Sequence, residues 1–133
     1  MMDWRTCSST FLSQNSTEDF AIVGHEHYTC VWAAKPGGLL ASITPQEVGI
    51  IVGEDRSTFL QTGLTIAGKK CCVIRDNLFA PDEHLLDLIT KGNDKRPICI
   101  GMTPEVLVVL MASAGVHGGI LNKTVYDILR GLQ

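Results

Sequence analysis

The chain has 133 residues, 45% of them hydrophobic and 19% charged, with a formal net charge of −3. This composition is typical of an ordered globular protein, and the length fits a single domain spanning residues 1–133. The net charge argues against bulk binding of nucleic acid. Residues 1–60 hold seven acidic and three basic residues, whereas residues 61–133 hold seven acidic and eight basic residues. A moderately basic patch is therefore expected in the second part of the chain.

Targeting and cysteine patterns indicate a cytosolic protein. No apolar run approaches the length of a membrane span, and residues 1–5 lack the basic and apolar build of a secretory signal. The cysteines form no CxxC motif and no paired Cys/His zinc spacing; they stand at positions 7, 30, 71, 72 and 99. An odd number of cysteines in a chain without a signal predicts free thiols. We expect a monomer without cofactor or metal.

The first elements predicted are a helix and a hairpin. Asp3 can cap a short N-terminal helix whose apolar face carries Trp4. Residues 20–23 and 30–34 are apolar runs joined by a polar loop. Two such runs around a loop predict a β-hairpin.

A well-capped helix is predicted next. The sequence Thr44-Pro45-x-Glu47 puts an N-cap residue, a proline at the first helical position and a capping-box acid in register. We expect this helix to run from Pro45 to about residue 52, and Gly53 to end it. A second short helical turn is expected near Arg56.

Short strand patterns then follow one another, at residues 64–67, 71–75, 85–90, 98–102 and 106–111. The first two flank Gly68-Lys69-Lys70, which is a hairpin signal. The last is a continuous apolar run rich in β-branched residues, which predicts a strand buried on both faces. Parallel crossovers need a dozen or more residues, so these short links predict antiparallel neighbours.

The C-terminal segment predicts an amphipathic helix after a turn at Gly118-Gly119. At 3.6 residues per turn one face is apolar and the opposite face carries charge and one aromatic ring; the apolar face comprises Leu121, Val125, Ile128, Leu129 and Leu132, and the opposite face Lys123, Tyr126, Asp127 and Arg130. Such a face is more typical of a docking surface than of a catalytic cleft. Terminal helices around an antiparallel sheet predict an α+β layered domain.

Catalytic motifs are absent from the sequence, which has no GxxxxGK[ST], no GxGxxG after a strand, no HExxH and no GxSxG. His25 and His27 could share a strand face and bind a metal, but they lie in a predicted loop without a third ligand. A thiol enzyme pairing Cys71 or Cys72 with His117 has no supporting spacing. Adjacent strand residues point to opposite faces, so we expect one buried and one exposed thiol. We predict that the chain is not an enzyme.

Several segments resemble one family. Gly115-Val-His-Gly-Gly-Ile-Leu-Asn-Lys123 is similar to the C-terminal actin-contact segment of vertebrate profilins. Segments similar to the central region of that family are Ile43-Thr-Pro-Gln-Glu-Val-Gly49, Gly53-Glu-Asp-Arg-Ser-Thr-Phe59, Gly63-Leu-Thr-Ile-Ala-Gly68 and Cys71-Cys-Val-Ile-Arg-Asp76. The likeness runs from Trp4 to the end of the chain. The segments most similar to the testis-type branch, isoform three, are Trp32-Ala-Ala-Lys-Pro-Gly-Gly38, Cys71-Cys72 and Gly119-Ile-Leu-Asn-Lys-Thr-Val125.

The resemblance implies both a fold and a function. The implied fold is a profilin-like central antiparallel β-sheet with the N- and C-terminal helices packed on one face and short helices on the other. The implied function is the binding of monomeric actin, which regulates actin polymerisation and the organisation of the cytoskeleton in the cytoplasm. Proline-rich proteins and phosphoinositide headgroups are further partners that the resemblance implies.

The resemblance also assigns binding residues. The implied actin-binding set is Lys70, Val73, Ile74, Arg75, Lys91, Val116, His117, Gly119, Asn122, Lys123 and Tyr126. Its basic members Lys70, Arg75, Lys91 and Lys123 form the implied phosphoinositide set. Because the two sets overlap, actin and phosphoinositides are expected to compete. Basic residues around a small apolar centre suit an acidic partner such as actin.

The resemblance places a poly-proline groove between the terminal helices. Trp4, Trp32 and Leu132 match its walls, on which a polyproline II helix docks. However, Cys7 replaces a tyrosine of the family and Gly131 a histidine, so fewer anchors remain. The alternative is that the two indoles are aromatic residues at the edge of the core.

Four further positions depart from the pattern of the common isoforms. Leu60 and Gln61 stand where those isoforms have an aromatic and an aliphatic residue, Cys72 replaces a serine, and Ile89 replaces an arginine. These departures motivate an alternative function. In it, the chain is a profilin-like module with weak or lost binding of actin and poly-proline, acting mainly through phosphoinositides or another partner.

Overall fold

The computed structural model describes residues 17–26 and 28–131. The predicted N-terminal helix with Trp4 and Cys7 lies outside the described residues, and so do His27 and Leu132. The described backbone forms a seven-stranded sheet with the strand order β2-β1-β7-β6-β5-β4-β3. The strands are β1 (Thr17–Gly24), β2 (Cys30–Ala34), β3 (Leu64–Ile66), β4 (Lys69–Asn77), β5 (Leu85–Thr90), β6 (Pro97–Met102) and β7 (Val106–Ala112). All neighbouring strands are antiparallel, as predicted.

Helices cover the two faces of the sheet. They are a 3-10 turn (Leu39–Ser42), α1 (Pro45–Ile51), α2 (Ser57–Thr62) and α3 (Gly118–Gly131). The core on one face joins Val48, Ile51 and Phe59 from α1 and α2 to alternate strand residues. The core on the other face joins α3 to the remaining strand residues. This is the predicted α+β arrangement, with α3 on one face and the short helices on the other.

Strand β7 lies at the centre of these layers. All seven of its residues are buried, and its side chains alternate between the two cores, with Leu107 and Val109 on one side and Val108 and Leu110 on the other. A strand between two apolar layers needs apolar side chains at every position. The prediction of a strand buried on both faces is therefore confirmed.

Helix α1 begins with the predicted capping box. The Thr44 hydroxyl accepts from the backbone N–H of Glu47 at 3.2 Å, and the Glu47 carboxylate accepts from the N–H of Thr44 at 2.9 Å. The same carboxylate also accepts from the N–H groups of Ala67 and Gly68, both at 2.9 Å. Glu47 thereby fixes the turn between β3 and β4 as well as the helix start.

The predicted hairpin at residues 64–75 is present, but its turn is shorter than expected. The turn consists of Ala67 and Gly68, which have φ of 52° and 82°, and Lys69 already belongs to β4. A two-residue turn with both φ values positive matches the twist of an antiparallel pair. The extra reach of β4 places Lys70 within the ladder, opposite Thr65.

Helix α3 packs on the sheet through Leu121, Val125 and Leu129, which are buried. Ile128 is half-buried. The helix lies close to β6 at Gly101, where a Cβ atom would lie 2.7 Å from Val125 Cγ1 and 2.9 Å from Leu129 Cδ1. Since any larger residue would push the helix away, Gly101 fixes the distance of α3 from the sheet.

Candidate docking surface

A β-bulge in β4 creates the centre of the surface. The register of β4 against β5 shifts between Val73 and Arg75. Strict alternation would send the Arg75 side chain toward the same core as Cys71 and Val73. The bulge turns it outward instead, so that Arg75 and Ile74 are both exposed. Val73 packs against the core on the face of α1 and α2, so its side chain does not join this surface.

Asp87 links β5, β4 and α3. Its carboxylate accepts hydrogen bonds from the Asn122 amide nitrogen at 3.0 and 2.9 Å, and from Arg75 Nη2 at 3.3 Å. Arg75 also lies 4.0 Å from Glu83. Arg75 and Asn122 thus meet at one carboxylate, although they lie 12 and 35 positions from Asp87 in the chain.

The start of α3 is organised by His117. Its Nδ1 accepts from the backbone N–H of Gly119 at 2.9 Å, which satisfies one of the free donors of the helix N-terminus. In the neutral ring the proton is then on Nε2. His117 is exposed, so its ring is accessible to a partner.

These elements enclose a shallow cavity of about 530 Å³ between β4, β5, β6 and the start of α3. Its lining includes Ile74, Arg75, Asp87, Ile89, Pro97, Val116, His117, Gly119 and Asn122. We call this set of residues the docking surface. Six of the eleven residues expected to contact actin are in it, although the sequence places them in two distant segments.

The remaining expected basic contacts lie on the same elements or directly after them. Lys70 is on β4, and its carbonyl accepts from the N–H of Lys91 at 2.9 Å. Lys123 follows Asn122 on α3 and pairs with Asp127 at 3.3 Å. All three lysines are exposed. An exposed i,i+4 pair of this kind contributes only about 0.3–0.5 kcal/mol, so Lys123 stays available for a partner.

Tyr126 lies one turn further along α3, beside a second cavity. Its hydroxyl accepts from Arg130 Nη1 at 3.0 Å, and the Arg130 guanidinium lies 5.6 Å from the centre of its ring. The cavity of about 850 Å³ beside it is also lined by His25, His84 and Met102. Tyr126 is thus on the same helix as the docking surface but not in its lining.

Trp32 is the expected poly-proline residue that the structure describes. It lies on the edge strand β2 and is 45% exposed. Its indole lies against Gly24, where an added Cβ atom would collide with the ring. The absence of a side chain at Gly24 therefore lets the indole lie flat on β1. Trp4 and Leu132, the other two expected walls, fall outside the described residues.

The thiols are arranged as predicted. Cys71 is fully buried and Cys72 is exposed. Burial, and then the neighbouring Cys72, raise the pKa of Cys71 from its ordinary 9.0 to about 11. Burial, and then the Asp87 carboxylate, also raise the pKa of Cys99. A thiol nucleophile needs a lowered pKa, so neither buried cysteine suits the thiol-enzyme alternative.

The described residues offer neither a metal cluster nor a helix that could span a membrane. No group of three or more His, Cys, Asp or Glu side chains within residues 17–26 and 28–131 could hold a metal ion. The ring of His25 instead bonds to the carbonyl of Thr103 at 2.8 Å. In the same ranges no helix combines the length and the apolar character needed to cross a bilayer.

A family model described as Profilin matches residues 2–133 of the chain. The chain belongs to the profilin family. Profilin-3 of rat is 58% identical over 133 residues, which cover 100% of this chain and 97% of that protein. Human profilin-3 is 55% identical with the same coverage, and mouse profilin-1 is 43% identical over 136 residues, again covering 100% and 97%. The expected similarity to isoform three is confirmed.

Solved profilin structures have the same fold. Mouse profilin IIa, in complex with a double repeat from the FH1 domain of mDia1, superposes with a TM-score of 0.93 at 39% identity, covering 98% of this chain and 96% of that chain. Rat profilin 2a superposes with a TM-score of 0.92 at 39% identity, covering 97% of this chain and 93% of that chain. The predicted profilin-like fold is confirmed. The family membership and these matches support the actin-regulating function, and they do not favour the alternative of a module that has lost it.

Sequence reasoning missed two features of the docking surface and one ion pair outside it. The bulge in β4 has no sequence signal, since Val73-Ile74-Arg75 reads as an ordinary alternating strand. Asp87 was passed over because it stands inside an apolar strand, yet a lone acid in such a strand is itself a signal for a buried partner. Arg56 is the third. It forms a bidentate pair with Asp76 at 2.8 and 2.9 Å and holds α2 against β4.

Proposed function

We propose that this profilin binds monomeric actin through the docking surface, with Lys70, Lys91, Lys123 and Tyr126 as further contacts. The observation that carries the proposal is the meeting of residues 74–75, 87–89 and 116–122 around one cavity. Apolar lining residues with basic side chains on the adjoining elements match an acidic partner surface. Specific protein interfaces combine an apolar centre with a polar rim in this way.

The action on actin is a matter of binding, without covalent chemistry. Clamped on the actin monomer, the protein would shift the equilibrium of the nucleotide cleft of actin and promote nucleotide exchange, which couples two sites on the partner. The loaded actin would then be delivered to filament ends. We place this activity in the cytoplasm, at the actin cytoskeleton, and we propose that the protein acts as a monomer.

Proline-rich proteins are proposed as the second class of partner. The matched structure of mouse profilin IIa contains an FH1 repeat, and proline-rich partners follow for the family. Trp32, exposed on the edge strand β2, supports this proposal because an indole face stacks on a polyproline II helix. Trp4 and Leu132 are proposed to complete the groove.

Phosphoinositide headgroups are proposed as competitors of actin. Lys70, Arg75, Lys91 and Lys123 belong to both binding sets, and point charges of this kind attract phosphates. Asp87 and Asp127 partly neutralise Arg75 and Lys123, so the attraction is expected to be moderate and sensitive to salt.

Neutralising a single lysine tests the actin proposal. Lys123→Gln should weaken the binding of monomeric actin several-fold, and more strongly at low salt, because a charge at the interface rim acts through screened attraction. Lys35→Gln is the matched control. Lys35 follows β2 at the opposite edge of the sheet from β4 and donates to the carbonyl of Glu18.

The measurement is the dissociation constant for monomeric actin, obtained by sedimentation at low and at physiological salt. We expect the control to bind like the parent chain. Equal effects of the two substitutions would contradict the placement of the surface, and a parent chain that fails to bind actin at either salt would contradict the function.

A further inference from the structure

Asp87 has an unusual position for an acidic residue. It stands in the middle of the apolar strand β5, with only 17% of its side chain exposed. Among the described residues that line the docking-surface cavity it is the only acid. Charged side chains this close to a core are retained only where they are well paired.

The partners of Asp87 come from three elements. Asn122 on α3 donates to both carboxylate oxygens, and Arg75 on β4 donates to one of them. Cys99 on β6 is the cross-strand partner of Asp87 and is fully buried. Burial, and then this carboxylate, raise the pKa of the Cys99 thiol.

These bonds fix the direction in which two surface groups point. Because the amide nitrogen of Asn122 faces Asp87, its amide oxygen is turned away from the carboxylate. Arg75 is held at one end while 53% of its side chain remains exposed. A long arginine side chain that is already ordered loses less conformational freedom when a partner binds.

We propose that Asp87 is a positioning residue of the docking surface, which orients Asn122 and Arg75 for the binding of monomeric actin. The inference rests on the proposed function, since it concerns the same surface. Asp87 itself is mostly covered and acts through its two neighbours. Its removal should therefore weaken actin binding mainly by speeding dissociation.

The test is a double-mutant cycle on the binding of monomeric actin. Asp87→Asn keeps the shape of the side chain but removes the charge that holds Arg75. It also removes one of the two oxygen atoms that accept from Asn122. We expect it to bind actin about tenfold more weakly, the effect of losing hydrogen bonds to a charged group. Asn122→Ala should also bind more weakly. The double variant should be no weaker than Asp87→Asn alone, since Asn122 is effective only when Asp87 orients it.

Controls separate positioning from a general loss of structure. Glu54→Gln makes the same chemical change at an exposed site between α1 and α2, and it should bind actin like the parent chain. If Asp87→Asn does not fold, the cycle of Arg75→Ala and Asn122→Ala replaces it. Both residues bind the same carboxylate, so their effects on actin binding should be non-additive.

The outcomes are distinct for the two proposals. Actin binding by Asp87→Asn that equals that of the parent chain, or losses that simply add in the cycle, would overturn the role of Asp87 and leave the proposed function standing. A parent chain that does not bind monomeric actin would overturn the proposed function, and the role of Asp87 with it.

Discussion

Two neighbouring cysteines illustrate how strand geometry alone sets the chemistry of a side chain. Cys71 and Cys72 are adjacent on β4, yet one is fully buried and the other exposed. Burial disfavours the thiolate and raises the pKa of Cys71 to about 11. The two thiols therefore differ in reactivity for a reason that is visible in the alternation of the strand.

The raised pKa of Cys71 predicts how stability depends on pH. The unfolded thiol ionises near 9.0 and the folded one near 11, so in this window the unfolded state binds fewer protons. The free energy of unfolding should fall as the pH rises from about 9 to about 11, by at most about 1.4 kcal/mol per pH unit for this group.

Urea unfolding at pH 8 and at pH 10 measures the effect. Cys71→Ala removes the thiol, so its free energy of unfolding should fall less between the two pH values than that of the parent chain. The substitution also leaves a small cavity, which lowers stability at both pH values. An identical pH dependence in the parent chain and in Cys71→Ala would contradict the prediction.

Trp32 depends on the absence of a side chain at Gly24. Gly24→Ala would place a methyl group in the space of the indole, so we expect the ring to turn and the binding of poly-proline to weaken several-fold, as expected when an aromatic anchor is lost. Titration of tryptophan fluorescence with poly-proline measures it. Gly49→Ala, at a helical position with open space around it, is the control and should bind as before. Unchanged binding by Gly24→Ala would remove Trp32 from the proposed groove.

At the scale of elements, Glu47 joins a helix to a hairpin. Its carboxylate accepts from three backbone N–H groups, those of Thr44, Ala67 and Gly68. Glu47→Gln removes the charge from these bonds and adds a donor that faces other donors. We expect the free energy of unfolding to fall by about 1–3 kcal/mol, as for buried hydrogen bonds to a charged group.

Denaturant unfolding of Glu47→Gln and of Glu54→Gln gives a direct comparison. Glu54 is exposed in the loop after α1, and its substitution should change stability by less than about 0.5 kcal/mol. Similar values for the two variants would show that the contacts of Glu47 with the turn contribute little.

The elements that the sequence predicted correctly are those with a strong local signal. Val106–Ala112 is a continuous apolar run, and the signature of Thr44-Pro45-x-Glu47 is a complete capping box, so each specifies its own structure. The sequence predicted a three-residue turn at Gly68-Lys69-Lys70, whereas the structure has a two-residue turn at Ala67-Gly68. The two lysines are equally compatible with a turn or a strand.

The docking surface was predictable only through resemblance. Neither the bulge at Val73–Arg75 nor the bonds of Asp87 to Asn122 follow from local pattern, since both depend on the pairing of β4 with β5 and on where α3 lies. Composition and spacing alone would have left the basic residues as an ordinary solvated face. Tertiary pairing is what turns them into one surface.

At the scale of the whole molecule, the two proposed protein-binding sites lie toward opposite edges of the sheet. The docking surface is built on β4, β5 and α3, whereas Trp32 lies on β2 at the other edge. This separation suits a protein that holds actin and a proline-rich partner together. The phosphoinositide set overlaps the docking surface, so it suits regulation by competition instead.

The measurement that tests this account most directly is amide hydrogen exchange of the protein with and without monomeric actin. We predict that actin slows exchange at residues 72–75 of β4, which are largely exposed, and in the segment 116–123, because binding covers these backbones. Exchange in Cys30–Ala34 on β2 should stay unchanged. Protection that appears on β2 and spares β4 and α3, or no protection at saturating actin, would contradict the account.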